Sequence, residues 1–103
     1  MKYTISKKRL IELTETLIHL VYPKFNKEDT EVITWSGGDE TYLEYFDKKR
    51  GGRPFAKYWI WKNELQLDSD LFFTLEKYLG EEMTNVIDWF NVEFNQDAET
   101  VTY

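Results

Sequence analysis

The chain has no cysteine, which excludes disulfides and thiolate metal sites. It has one histidine, His19, with no paired cysteine and no HExxH spacing, so a histidine-held metal is not expected. The two prolines, Pro23 and Pro54, mark boundaries rather than interiors. No apolar run approaches the ~20 residues that span a bilayer. The opening M-K-Y-T-I-S-K-K-R has no apolar region of the kind a secretion signal needs. The expectation is a soluble, cytoplasmic protein without a membrane partner. No GxSxG, Walker A, GxGxxG or CxxC occurs, and isolated Ser, Tyr and Asp residues do not assemble a site. Neither an enzyme nor a cofactor is expected. Basic residues also run out: beyond Lys77 there is none.

What is present is aromatic and acidic. Of 103 residues, 42% are hydrophobic and 17% aromatic, enough apolar surface to order one compact domain despite 31% charge. The net charge of −6 is unevenly laid out. Residues 1–62 carry 12 Lys and Arg against 9 acids, whereas residues 63–103 carry Lys77 against 10 acids. An acidic half of this kind disfavours contact with a phosphate backbone. It also keeps a small protein soluble.

Periodicity gives the elements. Ser6 reads as an N-cap with Ile5 and Leu10 as a hydrophobic staple, opening a helix to about Leu20. Its stripe is Leu10, Leu13, Leu17 and Val21, widened by Ile11 and Ile18, and Tyr22-Pro23 ends it. His19 falls on the outer side of that helix. Lys7, Lys8 and Arg9 occupy the first turn, where the helix dipole prefers anions. Thr30–Trp35 and Thr41–Phe46, separated by S-G-G-D-E, read as a β-hairpin. Phe55–Trp61 is a third strand and Glu64–Leu67 a short fourth after a Lys62-Asn63 turn. Asp68 reads as the N-cap and Gly80 as the C-cap of a second helix. Glu81 and Glu82 open a third. That helix puts Met83, Val86, Ile87, Phe90 and Phe94 on one narrow face, with Trp89 beside it and Asp88 and Glu93 off it. Thr100–Tyr103 alternates as a last strand. The order α-β-β-β(-β)-α-α-β predicts an α+β fold with a mostly antiparallel sheet of three to five strands and three helices on one face.

Three sets of residues stand out as candidate sites. In an extended third strand Phe55, Lys57, Trp59 and Trp61 share one face. If helices cover the other face, an aromatic surface remains, suited to a protein partner or to self-association as a homodimer. The acids of the C-terminal half, among them Glu81, Glu82, Asp88 and Glu93, are the second set, able to dock on a basic protein. The loop Lys48-Lys49-Arg50-Gly51-Gly52-Arg53-Pro54 is the third and the one dense basic patch. With Lys57, Trp59 and Trp61 it sketches a single-stranded nucleic-acid or nucleotide binder that stacks bases on an open sheet. Its R-G-G-R-P resembles the R-G-R-P core of the AT-hook, with one glycine inserted between the arginines. Asp68/Asp70 and Glu81/Glu82 are carboxylate pairs that helix capping explains without a metal.

The ending D-W-F-N-V-E-F-N-Q-D-A-E-T-V-T-Y, after a Leu- and Tyr-bearing helix, resembles the ends of small proteins encoded by tailed bacteriophages. The overall design, an initial helix, a hairpin, paired helices and a closing strand in an acidic, aromatic-rich chain, is similar too. The resemblance implies no activity and no functional residue. It implies a setting: a phage accessory protein in a bacterial cytoplasm, binding a host or phage protein. A structural component of a viral assembly is the further expectation from the same setting.

Overall fold

The computed structural model describes residues 7–37, 40–49 and 52–103. The expected cap at Ser6, its staple residue Ile5, and Arg50 lie outside these. The elements are α1 (Lys7–Val21), β1 (Thr30–Gly37), β2 (Glu40–Asp47), β3 (Ala56–Trp59), β4 (Glu64–Leu67), α2 (Ser69–Leu79), α3 (Thr84–Phe94) and β5 (Thr100–Thr102). The five strands form one sheet in the order β1-β2-β3-β4-β5. The first three pairings are antiparallel, and β5 joins β4 in parallel after the two helices. The fold is α+β, the class that the order of elements predicts. No helix among the described residues is long and apolar enough to cross a membrane.

The helices cover one face. Tyr45, Ala56, Tyr58, Leu65 and Leu67 alternate onto it and are buried against Leu71, Leu75, Val86 and Phe90. Tyr45 meets Phe90 edge-on at 5.1 Å and Phe94 at 4.8 Å between ring centres. Such ring pairs stabilise by about 0.5–1.5 kcal/mol each beyond the area they bury. The face of α3 is wider than the narrow stripe expected. Trp89 is fully buried, with Phe25 of the loop after α1 at 6.2 Å between ring centres, and Asn85 is nearly so.

α1 is rotated from its expected orientation. Leu13 lies 40% exposed, while Thr14 is fully buried beside Leu17 and Ile18. Burying a hydroxyl is tolerable here because Thr14 Oγ1 donates to the Leu10 carbonyl at 2.8 Å. His19 is exposed as expected, and its Nε2 lies 3.0 Å from the Phe25 carbonyl.

The third strand is shorter than expected at both ends. The Phe55 N–H donates to the Tyr45 carbonyl at 2.9 Å, although Ala56 is the register partner of Tyr45. Two residues therefore stand opposite one, a bulge that breaks the alternation. It turns Phe55 into the core, fully buried, with Phe25 edge-on at 5.2 Å. At the other end Ile60–Lys62 winds into a turn of 3₁₀-helix, closed by Asn63 at φ 50°. Asparagine tolerates that left-handed conformation better than most residues. Asn63 also anchors the chain: its carbonyl accepts from Glu99 N–H at 2.7 Å and its Oδ1 from the Tyr58 hydroxyl at 3.0 Å.

Asp68 precedes α2 as expected but makes no side-chain cap bond. Its carboxylate instead accepts from the Tyr22 hydroxyl at 3.0 Å and meets Arg53 at 3.5 Å. Gly80 ends the helix at φ 52°, a conformation that favours glycine, and its N–H closes on the Glu76 carbonyl. Before β5, Asn91 clamps the connection with both ends of its amide. Nδ2 donates to the Ala98 carbonyl at 3.0 Å, and Oδ1 accepts from Ala98 N–H at 2.8 Å.

Candidate interaction surface

The face of the sheet turned away from the helices is built by strand alternation. On β3 it takes Lys57 and Trp59, the neighbours of the buried Ala56 and Tyr58. Register then decides what stands beside them. Trp59 pairs with Tyr42, and Tyr42 pairs with Trp35. The result is a row of three rings across three strands. Trp35 and Tyr42 lie 6.5 Å apart at 19° to each other, and Tyr42 and Trp59 lie 4.4 Å apart. Trp61, 55% exposed on the turn after β3, extends the row: Lys62 Nζ sits 5.3 Å from the Trp59 ring and 5.2 Å from that of Trp61. Cross-strand aromatic pairs and cation–π contacts hold these side chains in place without covering them.

The row is fixed further by polar bonds. The Trp59 indole N–H donates to Gln66 Oε1 at 2.9 Å. Lys57 Nζ lies 3.9 Å from Glu44 and 5.6 Å from the Tyr42 ring centre. Lys62 is 2.9 Å from Glu64. Both cations of this face thus already have carboxylate partners.

Of the aromatic residues expected to share a face, the structure brings Lys57, Trp59 and Trp61 together and removes Phe55. The bulge places Phe55 in the core, where it cannot contact a partner. Trp35 and Tyr42 take its place. Sequence reading missed both, although the hairpin was legible. Their place in the row follows from the β1–β2 and β2–β3 registers together, which no single segment of the sequence displays.

The basic loop is also altered by its partners. Lys48 and Lys49 are exposed, and Lys49 reaches Asp29 at 3.1 Å. Arg53, facing Asp68, lines a cleft of about 380 Å³ together with Lys57, Gln66 and Tyr103. The acids are dispersed rather than gathered. Glu81 and Glu82 are exposed between α2 and α3, with Glu82 Oε2 accepting from Asn85 Nδ2 at 2.9 Å. Asp88 is half-buried on α3. Glu93 is bound to Lys27 at 2.7 Å, and that bond holds the Lys27 amine above its ordinary pKa. Among the described residues no three His, Cys, Asp or Glu side chains gather where they could hold a metal ion. Burial raises the pKa of the Tyr45 and Tyr58 hydroxyls, both on the helix side. Compared with protein-family models, with curated proteins and with solved structures, the chain matches none.

Proposed function

We propose that the protein is a non-enzymatic interaction module that binds a protein partner through the open face of its sheet. One observation carries this reading: the Trp35–Tyr42–Trp59 row, continued by Trp61, is ordered, with Trp35 and Trp61 exposed and Tyr42 and Trp59 half-buried between them. Aromatic side chains held rigid at low entropic cost are what protein interfaces use as anchors. The same rings would serve a nucleic acid only with free cations beside them, and Lys57 and Lys62 are occupied by Glu44 and Glu64. The resemblance to phage proteins makes a bacterial or phage protein in the host cytoplasm the partner to look for, and a virion component the alternative within the same setting.

The test is capture from bacterial lysate, nuclease-treated, with the wild type and Trp35→Ala/Trp59→Ala side by side. A stoichiometric protein retained by the first and lost by the second supports the reading. A partner held equally by both overturns it. Tryptophan quenching by an oligonucleotide, abolished by salt, would replace it with nucleic-acid binding.

A further inference from the structure

Among the described residues, no strand pairs with the outer edge of β1, beside the open face. β1 is an edge strand of eight residues, and seven of them, Glu31–Gly37, are exposed. Natural edges are blunted by lysine, proline, shortness or a covering element. β1 (T-E-V-I-T-W-S-G) has no lysine, arginine or proline, one charge, and apolar side chains on both faces: Val32 at 46% exposure, Trp35 at 49%. The other edge, β5, has three residues.

Backbone phase decides what this edge can accept. Lys48 N–H donates to the Asp29 carbonyl at 3.2 Å, one step beyond the register pair Thr30–Asp47. Antiparallel pairs alternate, so the odd-numbered residues of β1 bond to β2. Val32, Thr34 and Ser36 turn their N–H and C=O outward, while the Thr30 N–H is already taken by the Lys27 carbonyl. A second β1 running antiparallel presents the same phase. We infer that the protein forms a homodimer by pairing β1 with β1 of a second copy, Thr34 opposite Thr34, to give one ten-stranded sheet.

Three observations select a second copy in this register. First, Ile33 then stands opposite the partner's Trp35, twice by symmetry. These are the non-hydrogen-bonded positions, where side chains approach closest. Second, the lone charge, Glu31, faces the partner's Gly37, so no like charges meet although each chain carries −6. Shifting the axis to Ile33 would set Glu31 against Trp35 instead. Third, the helices pack over β2–β5 and leave the helix side of β1 bare, so the helical layers of the two copies do not collide. The two-fold axis stands perpendicular to the sheet and puts both aromatic rows on one side. The edge meets the open face at Trp35, which belongs to both, so the variant that separates the two interactions must act on the β1 backbone and leave that ring in place.

The test is sedimentation equilibrium from micromolar to millimolar concentration. The wild type is expected at twice the chain mass. Thr34→Pro removes an N–H that only the partner uses, and should weaken self-association at least about tenfold. Because the variant keeps every open-face aromatic, a monomer that still captures the partner protein separates the two readings. Since the chain has no cysteine, single-cysteine spin labels can report the register independently of that variant. The inter-copy distance should be shortest at Thr34→Cys and longer, by similar amounts, at Val32→Cys and Ser36→Cys. A monomer mass for the wild type at all concentrations, or a shortest distance elsewhere, overturns the inference.

Discussion

The two faces of the sheet carry nearly the same chemistry and do opposite things with it. On the helix side Tyr45, Tyr58 and Phe55 meet Phe90, Phe94 and Phe25 and disappear from solvent. On the other side Trp35, Tyr42 and Trp59 line up against one another, beside Lys57, Lys62 and Gln66. The difference is not hydrophobicity; it is whether an element stands opposite. An aromatic ring with a helix above it contributes to stability. The same ring without one stays in part exposed to water.

That contrast can be broken most sharply at Phe55. Phe55→Ala should cost about 3–5 kcal/mol in chemical denaturation, the range for emptying a packed aromatic site. Trp35→Ala or Tyr42→Ala should cost no more than about 1 kcal/mol, because only cross-strand contacts are lost. If the open-face variants proved as destabilising as Phe55→Ala, the row would be core rather than interface. Next in size, Asn91→Ala should lose about 1–3 kcal/mol and loosen β5. It leaves the N–H and the C=O of buried Ala98 without their side-chain partner. Amide exchange at Ala98 and Val101 would read this directly.

The smallest expected effect is alkaline. Tyr45 and Tyr58 are neutral when folded, with pKa values raised by burial above the ordinary value near 10. The unfolded chain gives up those protons first. Their stabilisation is therefore complete below about pH 10 and lost as pH rises from there through the folded-state values. Lys27 works in the same direction, starting from 10.5. Tyr45→Phe should flatten this alkaline loss in denaturation followed as a function of pH. An unchanged alkaline loss in that variant would say that burial does not hold the Tyr45 hydroxyl neutral.

Sequence and structure agree where a signal is local. Gly80 stops α2, the hairpin spans its short connection, and the α+β order follows from the elements alone. They part where a distant element intervenes. Nothing within Phe55–Trp61 reveals that Asp68 N–H will bond to the Phe55 carbonyl and help hold a bulge there. Leu13 and Thr14 exchange places on α1 because a hydroxyl bonded to Leu10 is as buriable as a methyl group. The candidate surface was half legible. Its β3 residues lie in one segment, but Trp35 and Tyr42 join Trp59 only through pairing registers. Asp68 shows the limit on the polar side: a sequence-perfect cap residue whose carboxylate is instead held by Tyr22 and Arg53.

The parallel β4–β5 pair has a consequence for how the chain folds. β1 and β2 close through two residues, so their pairing is local and fast, on the microsecond scale of hairpins. β5 is separated from β4 by the chain from Asp68 to Glu99, which holds α2, α3 and the Asn91 clamp. Closing so long a loop is entropically slow, and just three residues secure it. The two margins of one sheet thus belong to different moments: one among the first structures to form, the other the last to arrive and the first to fray.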